Sequence, residues 1–333
     1  MARRDDFRDD RLCRFFRFVD ERQRVWVRRV VLGEDPPWTA QGILRRHRFT
    51  NVYRLADPGT QYAIRSILDR AEPAVDRLFN VLVYRLIGRS ATHADVGFQR
   101  VDAFEVESFQ RALAARRDGG VPVFTGAYLV AGYSGFGGSD KVGNVARLFG
   151  EVAGVFDAFY AEVEAASGPE AVYSAIRSLP GFGNFLAYQV LVDLLYPLPG
   201  HGGEPFLPFS PDAWAAAGPG AKRGLDVLVE DGPDCSELEA MRWLHEYQAA
   251  EFERLGLDFP WLRDDGGNRI DLSLADVQNC CCEFYKYEKV RTGRGRTRRR
   301  FRPSERRSVA ELRGLYEGYP ISIAEVDYPR TTA

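Results

Sequence analysis

The run AVDRLFNVLVYRLIG, Ala74 to Gly88, is apolar almost all round, and a helix of that kind has to be enclosed by other packed elements. The elements available to enclose it are helical too. Leu12, Phe15, Phe16, Val19, Trp26 and Val30 recur close to helical spacing and predict an amphipathic helix ending near Gly33. PPWT, Pro36 to Thr39, restarts the chain, and Asp57-Pro58 reads as an N-cap followed by a first-turn proline opening GTQYAIRSIL. The same period returns in KVGNVARLFGEVAGVFDAFYAEVEAA, AVYSAIRSL, SELEAMRWLHEYQAAEFERLG and LADVQNCCCEFYKYEKV. Only VPVFTGAYLVAGYSGFGG, Val121 to Gly138, has extended character, and its glycines predict a loop. With no alternating strand series, internal repeat or heptad run, the expected fold is all-α, that is, mostly helical.

With 333 residues, 45% of them hydrophobic, the chain can bury one large core or two modest ones. No signal-like N-terminus and no bilayer-length apolar run is present, so the expectation is a cytoplasmic protein with no membrane partner. The five cysteines, Cys13, Cys235, Cys280, Cys281 and Cys282, contain no CxxC pair, and His47, His93, His201 and His245 are scattered. A disulfide framework, a structural zinc site and a His-built metal site are therefore not expected.

The formal charge of −2 hides two basic concentrations, Arg11 to Arg29 and Lys289 to Arg307. Heavy arginine use is also what a GC-rich genome produces. Local basic density still matters to a polyanion, because screened phosphate contacts act within about 8–10 Å. The Pro/Gly-rich connection YPLPGHGGEPFLPFSP is too long for an ordinary turn and is a candidate functional loop.

The pentapeptide LPGFG, Leu179, Pro180, Gly181, Phe182 and Gly183, stands between AVYSAIRS and the apolar FLAYQVLV. Its proline starts a turn, its glycines permit left-handed backbone, and the N–H groups opening the next helix suit a phosphate oxygen. A plain helix connector has the same outline. The unit resembles the helix-hairpin-helix of DNA glycosylases, which implies a helix-hairpin-helix DNA-glycosylase-like fold and DNA binding through the hairpin. Those enzymes carry an essential Asp in or after the loop that follows the second helix. Asp212 is the closer match by position and Asp193 the alternative, although Asp212 serves equally well as a helix N-cap. Phe185 falls near where the lyase-type members place their lysine, which disfavours Schiff-base excision.

A second resemblance rests on several ordered motifs: FTNVYRLADPGTQYAIR, LFNVLVYRLIG, LPGFGNFLAYQVLVDLLY, AGPGAKRGL and CCCEFYKYEKVR. Together, over roughly Arg11 to Arg300, they resemble the helical domain associated with 5-hydroxymethyluracil DNA kinases, the family of α-glutamyl/putrescinyl thymine pyrophosphorylases. The resemblance implies DNA base hypermodification: an amine or amino acid replaces pyrophosphate on the 5-methylene carbon of a flipped thymine. No GxxxxGK[ST] occurs, so a separate DNA base kinase is expected to supply the activated base.

This chemistry needs a pocket that stacks and reads a flipped base, and cations that meet the departing charge. Asn51, Tyr53 and Arg54 offer an amide, a ring and a fixed cation in one turn; Asn80 and Arg85 are weaker candidates. Lys222 and Arg223 in GPGAKRG are the candidate pyrophosphate-binding pair in an anion nest. Glu283, Lys286 and Tyr287 share one helix face, so Glu283 could accept a proton from the amine while Lys286 meets a phosphate and Tyr287 lines the base. An ordinary helical salt bridge between Glu283 and Lys286 is the simpler alternative. One thiolate from Cys280, Cys281 or Cys282 could instead add to the pyrimidine, against the simpler role of buried small hydrophobes.

The expected organisation is one helical base-modification domain over residues 1–300, in two lobes of about 1–138 and 139–300 around a DNA and base cleft. A C-terminal helix and tail follow over 301–333. No organic cofactor is implied, and Mg2+ is the one ion considered, as an aid to pyrophosphate departure. The rival readings are an N-glycosylase using Asp212 or Asp193 and a non-catalytic DNA-binding module.

Overall fold

A computed structural model describes residues 1–230, 235–295, 308–319 and 326. The architecture is all-α, and the one sheet among the described residues is a two-stranded hairpin, Leu262–Arg263 against Arg269–Ile270. The chain divides into two compact units, one built from Met1–Pro58 with Trp214–Ala333 and the other from Gly59–Ala213. These breaks fall elsewhere than the expected division at residue 138, because the first unit is assembled from the two ends of the chain.

In the Gly59–Ala213 unit the helix Ala74–Ile87 is the buried one its composition predicts, with Leu78, Phe79, Val81, Leu82, Val83, Leu86 and Ile87 out of solvent. Helices Ser90–Val96, Phe156–Glu164 and Asn184–Asp193 pack around it. Phe79 meets the rings of Phe104, Phe149 and Phe156 edge-on at 5.3, 5.9 and 5.1 Å. KVGNVARLFGEVAGVFDAFYAEVEAA forms two helices, Lys141–Gly154 and Phe156–Glu164, the first capped by the Asp140 carboxylate. Val121 to Gly138 is a loop apart from a single 3-10 turn, Ser134–Phe136. Asn80, one of the weaker base-pocket candidates, is fully buried and joins Asp76 O to the backbone of Gln99, which makes it a structural tie.

In the other unit the first long helix, Asp9–Trp26, runs on through a π-helical turn, Val27–Leu32, and stops at Gly33 in the left-handed region, where the periodicity predicts. Its arginines are largely paired: Arg14 with Glu288 at 3.0 Å, Arg24 with Asp20 at 2.9 Å and Arg28 with Glu21 at 3.2 Å. This stretch is therefore less of a free basic face than its composition suggests. The second basic run is described only as far as residue 295, and residues 296–307 lie outside the described residues. The C-terminal segment contributes the helix Val309–Gly314, with Arg313 donating to Val30 O at 2.9 Å and Tyr316 to Ala56 O at 2.6 Å.

The helices Pro219–Leu228 and Leu274–Arg291 lie unusually close. Gly220 rests against the Cys282 sulfur, and a Cβ at Gly224 would collide with the Cys281 carbonyl. Two glycines four apart thus form the helix face that allows the approach. Gly224→Ala is expected to cost about 1–3 kcal/mol in a denaturant titration, as an overpacked contact does. Gly154→Ala, at a helical position with open space around it, should be neutral or slightly stabilising.

Candidate functional site

The helix Leu274–Arg291 begins in a capping box, with Ser273 and Asp276 each bonding the other's backbone. Asp276, Asn279, Glu283 and Lys286 follow at spacings of three, four and three, which places them along one helical face. That face holds a non-helical stretch, residues 48–53, and the start of the 3-10 turn Arg54–Ala56, running antiparallel to the helix. Asp276 Oδ1 accepts the Arg54 N–H at 2.6 Å, and Asn279 Nδ2 donates to Thr50 Oγ1 and Asn51 O at 3.0 and 3.2 Å. Glu283 Oε2 accepts the Thr50 N–H at 3.2 Å and the Lys286 ammonium at 3.1 Å, while Lys286 also donates to Arg48 O. From the first long helix, Arg22 donates to Thr50 O and Asn51 O at 2.7 and 3.1 Å. These side chains supply partners for much of the backbone of this stretch.

The two motifs FTNVYR and CEFYKYEK therefore do meet, but largely through backbone bonds. Glu283 is only 8% exposed, and both the Thr50 N–H and Lys286 occupy one of its oxygens. Lys286 lies over the Phe49 ring at 4.6 Å. Asn51 Nδ2 donates to Ala56 O at 2.6 Å. Tyr53 is a core residue: its hydroxyl donates to Ile270 O at 2.7 Å and accepts the Leu262 N–H at 3.3 Å, tying down the β-hairpin. Burial holds that phenol well above its ordinary range. The Arg54 guanidinium lies 3.6 Å from Asp57. Tyr287 is half-buried, between Phe18 at 4.8 Å and Phe284 at 6.3 Å.

GPGAKRG forms the start of a helix capped by Gly218 rather than an open nest. Lys222 and Arg223 are both exposed; Lys222 pairs with Glu237 at 2.6 Å and Arg223 lies 5.7 Å from the Tyr285 ring centre. The cysteine run does not favour a thiolate nucleophile. Burial pushes Cys280 and Cys282 up to about 11 and Cys281 well above its ordinary value, so all three are thiols near neutrality.

In the Gly59–Ala213 unit, helices Pro169–Ser178 and Asn184–Asp193 are joined by residues 179–183. Leu179 and Phe182 are buried anchors, whereas Pro180, Gly181 and Gly183 bring backbone toward the surface. Gly181 is at φ 83°, a conformation that favours glycine, and a Cβ there would lie 2.6 Å from Leu148 Cδ1 and would have to displace that side chain. Phe185, in the first turn of the second helix, is 48% exposed.

Asp193 is 0% exposed, and its two oxygens take the Arg85 guanidinium at 2.5 Å each. Burial opposes the Arg85 charge, but Asp193 outweighs it and holds that cation firmly protonated. This is a buried, bidentate structural pair, which removes Asp193 from the carboxylates that can touch a substrate. Asp212 is exposed, its N–H bonded to Ser210 Oγ at 3.1 Å. Among the described residues no group of three or more His, Cys, Asp or Glu is placed to hold a metal ion, so no residue set is assigned to Mg2+. Among those residues, too, no helix is long and apolar enough to cross a membrane.

Sequence reasoning overlooked Arg22, Asp276 and Asn279. The three-four-three polar spacing and the S-x-x-D start were the available signals for the last two; nothing local marks Arg22.

Asp193→Asn should cost about 3–5 kcal/mol in a denaturant titration, because Arg85 is left buried without its counter-charge. Replacing both partners with apolar residues should recover part of that loss. Burial pushes Asp276 up to about 6 from 3.8, so the folded chain holds this proton more tightly than the unfolded chain does. Its stabilising contribution is full below about pH 4 and lost as pH rises through 6. Asp276→Asn keeps an acceptor for the Arg54 N–H, and its stability relative to the native chain should rise by up to about 3 kcal/mol from pH 4 to 7.

Residues 10–297 match the family described as "5-hmdU DNA kinase, helical domain". A relative from Bacillus phage SP10, named "5-hmdU DNA kinase", is 32% identical over 289 residues, covering 82% of this chain and 44% of the relative. The chain thus spans less than half the length of that relative. No solved structure matches. By its extent and by the identity of the relative, the match shows that the chain belongs to the 5-hmdU DNA kinase helical-domain family.

Proposed function

We propose that the chain binds DNA and acts in the hypermodification of a thymine-type base substituted on its 5-methylene carbon. The observation that carries this reading is the family match over residues 10–297, joined to a relative named for kinase activity on 5-hmdU in DNA. The base has to leave the stack before its 5-methylene can be reached.

The reaction proposed is displacement. An amine nitrogen forms a bond to the 5-methylene carbon, the C–O bond to pyrophosphate breaks with its electron pair going to oxygen, and the amine releases one proton. The co-substrate is a small amine or amino acid, and a separate DNA base kinase is the partner that supplies the activated base. Lys222 and Arg223, exposed cations, are assigned to the leaving group. The Lys222 pairing with Glu237 is a surface ion pair, cheap to exchange for a phosphate. Glu283 and Lys286 serve as positioning residues through residues 48–50. Within the glycosylase-like reading of the fold, Gly181 and Gly183 offer backbone N–H groups to a DNA phosphate, and Pro180, which has none, shapes the turn.

A second reading, phosphoryl transfer to the base, is favoured by the name of the relative. The two are separated by nucleoside mass spectrometry on two substrates. DNA carrying pyrophosphorylated 5-hydroxymethyluracil, incubated with an amine mixture, should gain the mass of an amine in place of pyrophosphate. A phosphate gain on 5-hydroxymethyluracil DNA with ATP would support the second reading instead, and release of free base would support excision. No mass change on either DNA, with folded protein, overturns both transfer readings.

A further inference from the structure

We propose that Leu129 is the side chain that enters the base stack of duplex DNA when the target base is turned out, an inference that rests on the base-modification reading above. Leu129 is 80% exposed, and apart from Met1 it is the most exposed large apolar side chain among the described residues. It is also rigidly presented. On one side the Tyr128 hydroxyl donates to Arg85 O at 2.5 Å, and on the other Lys141 Nζ donates to Val130 O at 2.6 Å, with Val130 itself buried. Beyond these neighbours Asn144 donates to Gly132 O and Gly138 O at 2.8 and 2.6 Å, and Arg147 to Phe136 O. An exposed leucine on a loose loop would be unremarkable, but here the Tyr128 side chain and the Val130 carbonyl on either side are tied down and Leu129 is the large side chain that projects.

The projection shares a surface with the hairpin. The Tyr128 ring lies 5.2 Å from that of half-exposed Phe185, and the Tyr133 hydroxyl donates to Gly181 O at 3.3 Å. Tyr133 takes up φ 49°, which L side chains adopt at a cost, and its hydrogen bond joins the loop to the turn of residues 179–183. Around Leu129 the chain is small: Ala127, Ala131 and Gly132 are exposed. A stable protein partner needs about 800 Å² per side with several apolar anchors, which this narrow projection does not supply. One apolar wedge beside backbone that approaches closely is what an unstacked base step accommodates. Leu129 would fill the gap left by the extruded base, and Phe185 would lie against the neighbouring sugar or base.

The test uses a duplex with 2-aminopurine beside 5-hydroxymethyluracil, whose fluorescence rises on unstacking, together with binding to that duplex and to the single strand. The native chain is expected to raise the fluorescence at saturation. Leu129→Ala should lose most of that rise and bind duplex about tenfold more weakly, with single-strand binding unchanged. Val155→Ala, another exposed apolar residue, serves as the control and should match the native chain. Leu129 makes few packing contacts, so its variant should fold, and an unchanged thermal midpoint verifies this. A Leu129→Ala rise equal to the native one, or a native chain that binds duplex without any rise, overturns the proposal. A native chain that binds neither duplex nor single strand refutes the base-modification reading itself.

Discussion

A helix buried along most of its length can keep ionisable and amide side chains only if each one finds a partner, and the helix Leu274–Arg291 satisfies this by gripping a non-helical stretch of backbone. Asp276, Asn279 and Glu283 would each be costly in that environment alone. Residues 48–53 would be costly for the same reason, since backbone outside a helix or sheet ladder needs other partners for its N–H and C=O groups. The two liabilities cancel. Arg22 completes the arrangement from the first long helix, and Gly220 and Gly224 let the helix Pro219–Leu228 close over the opposite side. One polar face thereby fixes how the two ends of the chain meet in a single unit.

The other unit obeys the same rule with a different device. Its central helix, Ala74–Ile87, is apolar except for Asp76, Asn80 and Arg85 among its enclosed residues, and each is answered. Asp76 accepts the Val101 N–H at 2.8 Å, Asn80 bonds Gln99, and Arg85 meets Asp193. A bidentate guanidinium–carboxylate pair saturates its own hydrogen bonds, which limits the desolvation penalty. Because Asp193 stands at the end of the second hairpin helix, this pair also fixes that helix against the central one. The turn at residues 179–183 is consequently presented from a rigid base.

Much of this architecture is readable in the sequence because it depends on local period and local turns. The buried helix, the stop at Gly33, the start at Pro58, the loop from Val121 to Gly138 and the helix–turn–helix around LPGFG all follow from residues close together in the chain. What is not readable depends on partners far apart. Nothing near Glu283 announces Thr50, 233 residues away, and nothing near Asp193 announces Arg85, 108 residues away. Periodicity can place a carboxylate on a helix face, but it cannot tell whether that face meets solvent or another segment's backbone. That is why Asp193 reads as a catalytic candidate until its surroundings are seen. The division into units eludes a linear reading for a related reason, since one of them is assembled from both ends of the chain.

Burial therefore sorts the candidates into two physical kinds. Asp193, Tyr53 and Glu283 are held by bonds whose loss would disturb the fold, and their influence on a reaction is through position. Asp212, Lys222, Arg223, Phe185 and the backbone at Gly183 are open to solvent and can meet a ligand without first breaking the core. The proposed chemistry needs both kinds: a stiff frame keeps reacting groups within a fraction of an ångström of their working positions, and stiff frames are made of saturated polar bonds. The motifs that carry the family resemblance fall mainly on the first kind. FTNVYR and CEFYKYEK mark the frame, so family membership is written most clearly in residues that position. In the proposed reaction, specificity for a particular amine or base is to be sought among the exposed side chains that the frame holds out.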